Sequence, residues 1–102
     1  MIEQVFAYET ANVKTMEQVV KEEKLHLNHI VLPTGESFPK HTANATVYMT
    51  VLRGTLTLAL GEQDVYEYKR GDVLKIPEGT VMQGFNRREE TLELWIVKAF
   101  HE

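Results

Sequence analysis

Gly71-Asp72-Val73-Leu74-Lys75-Ile76-Pro77-Glu78-Gly79-Thr80-Val81-Met82-Gln83-Gly84-Phe85-Asn86 is the stretch on which the fold of this chain turns. Four residues, Val73 to Ile76, form a strand-like run between two turn signals. Lys69-Arg70-Gly71-Asp72 turns the chain before it, and Pro77-Glu78-Gly79 turns it after. Thr80 to Phe85 reads as the next strand, and Asn86 to Glu90 as a polar loop. Strands this short, separated by Gly and Pro, belong to all-β architecture.

Working outward, the same rhythm continues in both directions. In Thr55 to Leu60 the leucines 56, 58 and 60 alternate with Thr55, Thr57 and Ala59, the pattern of a strand with one buried face. Gly61-Glu62-Gln63-Asp64 makes a hairpin into Val65 to Tyr68. Thr46 to Leu52 is β-branched and aromatic and ends at Arg53-Gly54, and Leu25 to Leu32 is a strand that ends at Pro33-Thr34-Gly35. Leu92 to Phe100 is apolar enough to be a closing strand buried on both faces. Near the N-terminus, Val5 to Tyr8 reads as a short opening strand. Thr15-Met16-Glu17-Gln18 has the form of a capping box, which predicts one or two helical turns over Met16 to Glu22. An edge strand is the rival there, because Val19-Val20 favours extended backbone. The total is roughly eight to ten short strands, a sandwich or barrel with at most one short N-terminal helix.

The bulk numbers bound the rest. A chain of 102 residues has room for one core, so 1–102 is expected to be a single domain, with 1–24 an N-terminal strand and short-helix segment and 25–100 the barrel. The net charge of −4 argues against nucleic acid, whose affinity rests on Lys and Arg at phosphates. No apolar run approaches a membrane span. The absence of cysteine removes disulfides, thiolate ligands and a thiol nucleophile. With no leader pattern at Met1-Ile2-Glu3-Gln4-Val5, the expected compartment is the cytoplasm. A small β-rich domain has edges to protect, which predicts a homodimer.

Two glycine-bracketed segments carry a resemblance to the cupin family. The first runs from Gly35 through His41 to Gly54, the second from Gly71 through Pro77 and Gly79 to Asn86. Cupin motifs have the form Gly, five residues, His-x-His, three or four residues, Glu, six residues, Gly, and then Gly, five residues, Pro-x-Gly, two residues, His, three residues, Asn. Seven of these positions match in register over residues 27–100: Gly35, His41, Gly54, Gly71, Pro77, Gly79 and Asn86. The resemblance implies a double-stranded β-helix, or jelly-roll barrel, of the kind commonly found as a dimer. It also implies a metal bound by three His and one Glu inside the barrel mouth. Here Ala43, Val47 and Met82 stand where the second His, the Glu and the last His are expected, and only His41 is kept. One imidazole with a thioether does not make a site for a hard divalent ion, so no cofactor is expected.

Two routes back to chemistry stay open in the sequence. A divalent transition metal could return, in an oxygenase or isomerase with a rewired site, if His29, on the strand before Gly35, turned into the same cavity as His41. His41 could also act alone as a metal-free acid and base in an isomerase, oriented by Glu36 or Glu93. Against these stands a binding function. Losing a carboxylate and two imidazoles gives the cavity an apolar wall, the usual form of a small-molecule site. On that reading the ligand is small and largely apolar with one polar handle, and His41, Asn44, Tyr48, Met49 and Met82 are the candidate contacts. A dimeric scaffold with a vestigial cavity is the remaining option, since one fold hosts many functions.

Overall fold

The computed structural model describes residues 1–101 and is all-β, with nine strands and no helix among them. The strands are β1 (Thr15–Lys21), β2 (Leu25–Leu32), β3 (His41–Thr42), β4 (Thr46–Arg53), β5 (Thr55–Leu60), β6 (Tyr66–Lys69), β7 (Val73–Ile76), β8 (Val81–Phe85) and β9 (Leu92–Ala99). They form two antiparallel sheets, one in the order β1-β2-β9-β4-β7 and one in the order β3-β8-β5-β6. The inner faces meet in one core that includes Leu32, Met49, Leu56, Leu58, Ile76 and Leu94, all essentially inaccessible.

The alternating leucines of β5 do what their period requires: Leu56 and Leu58 are buried in the core. Thr57, on the opposite face, is also buried, because Glu67 from β6 lies over it with its Oε2 3.4 Å from the hydroxyl, and Arg88 pairs with that carboxylate. β9 lies between β2 and β4. Leu92, Leu94 and Ile96 enter the core, while Glu93, Trp95 and Val97 are half-buried on the outer face. Asn86 shows why a polar residue ends the second motif. Its buried side-chain Nδ2 donates to the carbonyls of Leu32 (2.8 Å) and Glu90 (2.9 Å), and its Oδ1 accepts from the backbone N–H of Arg88 at 3.0 Å. One amide thus ties the β8–β9 loop to the end of β2 and satisfies the buried Leu32 carbonyl.

The N-terminal expectations need correction. Met16 to Glu22 is not helical: Thr15–Lys21 is an edge strand on β2, with a bulge between Gln18 and Val20. The capping box is a local signal. It loses to the free edge of β2, whose backbone groups gain a ladder from β1, and the Thr15 hydroxyl bonds back to the Val13 carbonyl instead of capping a helix. Val5 to Tyr8 is not a strand either. With β1 already on that edge, this segment lies across the outer face of the five-stranded sheet and is held by side chains. Tyr8 packs edge-on against His29 and Trp95, each with ring centroids 4.9 Å apart. The Glu9 amide donates to Glu17, and the Asn12 amide oxygen accepts from Arg53. No helix among the described residues is long and apolar enough to cross a membrane.

Candidate functional site

Strand parity decides what faces the space between the sheets. On β2, Asn28, Ile30 and Leu32 point inward, as do Val47 on β4 and Ile96 and Lys98 on β9. His29, Tyr48 and Trp95 point outward. At the end of the barrel where β1, β2 and β3 meet, the inward residues enclose a cavity of about 140 Å³. Its apolar wall is Ile30, Val47, Ile96, Met82 and Phe38, with Met16 and Pro39 at the rim. Three polar side chains also line it: Asn28, His41 and Lys98.

The polar groups differ in how far they are already engaged. His41 is exposed at the mouth. Its Nδ1 donates to the Pro39 carbonyl at 2.9 Å, which leaves Nε2 of the neutral ring as an acceptor facing outward from that contact. Lys98 reaches the Asn44 amide oxygen at 3.4 Å, and no carboxylate among the described residues lies within ion-pair distance of it. The Asn28 Oδ1 is buried and finds no hydrogen-bond partner among the described residues.

The five predicted contact residues separate on this geometry. His41 and Met82 line the cavity. Asn44 is exposed and meets the site only through Lys98. Tyr48 points to the opposite face of its strand, 37% exposed, with the Lys75 ammonium 5.9 Å from its ring. Met49 is fully buried in the core and does not reach the cavity. A one-residue offset from a lost ligand position reverses the direction of the side chain, which is why Tyr48 is turned away.

The rewired metal pair does not form. His29 lies on the outer face of the five-stranded sheet, on the other side of the strand from the cavity, and is wholly buried there. Its Nδ1 is 2.8 Å from Glu17 and its Nε2 2.6 Å from Glu93, and its ring packs on Trp95 with centroids 4.6 Å apart. Carboxylates only accept, so both ring nitrogens donate, the pattern of an imidazolium. Glu93 also takes a hydrogen bond from Arg53 at 2.9 Å. Burial pushes the Glu93 carboxyl up, but hydrogen bonds from His29 and Arg53 outweigh it and the group titrates below the usual carboxylate range. Glu17 is likewise held low, first by the His29 hydrogen bond and then by the Glu9 amide. These contacts also remove the expected orienting carboxylate of His41, since Glu93 is committed to His29 and Glu36 pairs with Lys14 at 3.3 Å.

At the family's other metal positions the side chains do not fit a metal. Ala43, Val47 and Met82 are buried and offer a methyl, an isopropyl and a thioether. No group of three ligating side chains able to hold an ion occurs among the described residues. Sequence reasoning missed Asn28, Lys98 and Phe38 as cavity residues. Lys98 shares its parity with Leu94 and Ile96, and Asn28 with Ile30 and Leu32, so counting back from the apolar positions was the available signal.

Comparison with known proteins agrees with this architecture. The family model of the cupin domain matches residues 28–98. A protein of Methanocaldococcus jannaschii is 38% identical over 102 residues, covering 99% of this chain and 88% of the relative. The crystal structure of an RmlC-like cupin family protein with a double-stranded β-helix fold from that organism superposes with a TM-score of 0.94 at 38% identity, over 99% of this chain and 94% of the other. A cupin superfamily protein from Desulfitobacterium hafniense shares the fold at 12% identity, with a TM-score of 0.78 over 93% of this chain and 84% of the other. With both the barrel and the frame of Gly, Pro and Asn in place, this chain belongs to the cupin family.

Proposed function

We propose that this cupin binds a small, largely apolar molecule in its barrel cavity and does so without the metal common in its family. The observation that carries this reading is the composition of the cavity wall. Where the family places imidazoles and a carboxylate, this chain has Ala43, Val47 and Met82, and the space beside them is lined by Ile30, Phe38 and Ile96. An apolar recess with a few polar groups is the form that small-molecule sites take. A catalytic metal needs about three protein ligands, and His41 alone cannot supply them.

The test is the metal content of tag-free protein, measured for wild type and for His41→Ala after incubation with iron, manganese, nickel and zinc. The expected result is far less than one equivalent in both, with no difference between them. Near-stoichiometric metal that disappears in His41→Ala would overturn the reading and return the protein to metal-dependent chemistry.

We also propose that two copies associate through the outer face of the five-stranded sheet and the segment lying across it. Leu52 and Val73 are exposed on that sheet, and Val5 and Phe6 on the segment. A second copy would cover apolar surface that a lone chain leaves to water. Sedimentation at micromolar concentration should give twice the 11.8 kDa chain mass, and a monomer would refute it.

A further inference from the structure

We propose that the ligand of this cavity is a small carboxylate, with its acid group between Lys98 and the Asn28 amide and its apolar body against Ile30, Val47, Met82 and Ile96. The inference rests on the binding reading above and names the chemistry of its polar end. Lys98 stands on the inner face of β9, opposite Val47 across the β4 ladder and His26 across the β2 ladder. Lys98 lines the cavity and its ammonium has no carboxylate partner among the described residues, in a chain whose acidic residues outnumber its basic ones by 15 to 11. Glu17 borders an adjoining recess but turns its carboxylate to His29 at 2.8 Å, so it does not neutralise Lys98. His26 is engaged with Gln18 at 3.0 Å and with the ring of Phe100.

Asn28 supplies the second half of the recognition. Its side chain lines the cavity, and neither end of its amide is hydrogen-bonded to a described residue. The buried Oδ1 is an acceptor that an ionised carboxylate leaves unsatisfied, so the contribution of Asn28 to binding an acid comes from its Nδ2, whose N–H groups donate. An anion beside an ammonium, with an amide N–H as second donor, makes charge-assisted hydrogen bonds in a recess whose other walls are apolar. The apolar volume limits the body of the molecule. About 140 Å³ holds one six-membered ring or a branched chain of four or five carbons, since a cavity of about 150 Å³ accommodates benzene. The class is therefore a mono-aromatic or short branched aliphatic acid.

The test is calorimetric or ligand-observed NMR titration at pH 7 with two matched sets. One set is benzoate, benzamide and benzyl alcohol; the other is 3-methylbutanoate and 3-methyl-1-butanol. In each set the acid should bind about tenfold or more tighter than its neutral counterparts, the effect of one charge-assisted contact. Lys98→Met keeps the length of the stem and should bring acid and neutral forms to within about twofold of one another. Asn28→Asp should weaken the acids selectively by placing a like charge beside them, while the alcohols are little changed. Neutral forms that bind as well as the acids, with Lys98→Met without effect, would overturn the carboxylate assignment and leave the binding function intact. If no member of either set binds at millimolar concentration, both the assignment and the binding function fall.

Discussion

Replacing His29 with leucine should destabilise the protein by about 2–4 kcal/mol at pH 7, a fall of roughly 10–25 °C in Tm for a domain of this size. The reason is electrostatic. His29 is completely buried, and the Glu17 and Glu93 side chains that flank it are 30% and 12% exposed. Remove the imidazole and two carboxylates face one leucine, with Arg53 still on Glu93 but no cation left for Glu17. The partial exposure of Glu17 keeps the loss below that of a fully buried pair. A triple variant, Glu17→Gln with His29→Leu and Glu93→Gln, should recover at least half of the stability, because the cost lies in the unpaired charge. If the triple variant were as unstable as the single one, the loss would come from ring packing against Trp95 and Tyr8, and the charge argument would fail.

The same cluster sets the acid limb of stability. Glu17 and Glu93 both titrate below the ordinary value of 4.5 in the folded state. Their contribution is therefore complete well above pH 4.5, and it is lost as the pH falls through the lowered folded values. Urea midpoints measured from pH 7 downward should fall steeply below about pH 4.5 in wild type. The fall should be shallower in His29→Leu, where Glu17 has lost its main hydrogen-bond donor. Glu93 is bonded by His29 on β2 and Arg53 on β4, and Glu17 on β1 shares the His29 ring with it.

The cluster was hidden in the sequence for a physical reason. In Leu25 to Leu32 the last four residues, His29 to Leu32, are all buried, so the period that would assign His29 to one face is erased. Val31 is covered on the outer face and Ile30 in the core, and only the ladder with β1 and β9 tells them apart. Glu17 sits in a segment whose local signal is helical, and Glu93 is separated from His29 by 64 residues. Lys98 has the composition of a surface residue and becomes a cavity residue only through its parity with Ile96.

What could be read was the punctuation. Val73–Ile76 is a strand with the predicted bounds, and so are Leu25–Leu32 and Thr55–Leu60. The two-residue strand His41–Thr42 escaped, being too short to show a period, and it pairs with β8 through Met82 and Val81. Asn86 and the glycines were legible because their roles are set by backbone geometry, which a single residue type satisfies. The side chains of the cavity carry no such constraint. With Ala43, Val47 and Met82 buried at those positions the barrel is still complete, so the fold does not depend on imidazole or carboxylate side chains there.

Gly54→Ala tests that separation and should destabilise the protein by about 2–5 kcal/mol, as read from urea or thermal unfolding. Gly54 lies where the chain leaves β4 in one sheet and enters β5 in the other, with φ of 80°. A Cβ there would stand 2.6 Å from the Thr91 carbonyl oxygen and 2.8 Å from Leu92 Cα, both backbone atoms that cannot rotate away. Gly35→Ala is the control. Its φ is 84°, but nothing lies within 4 Å of the added carbon, so it should cost only the left-handed strain, about 1–2 kcal/mol. Equal losses in the two variants would mean that strain alone matters and that the crossover is not tightly packed. The displaced backbone in Gly54→Ala is the start of β9, next to Glu93, so this variant should also weaken the hold of Arg53 and His29 on that carboxylate. The cavity is fed by the far end of the same strand, at Ile96 and Lys98. Folded Gly54→Ala protein should therefore bind benzoate with wild-type affinity while its urea midpoint falls. That outcome requires β9 to hold the fold at its first residues and shape the site at its last.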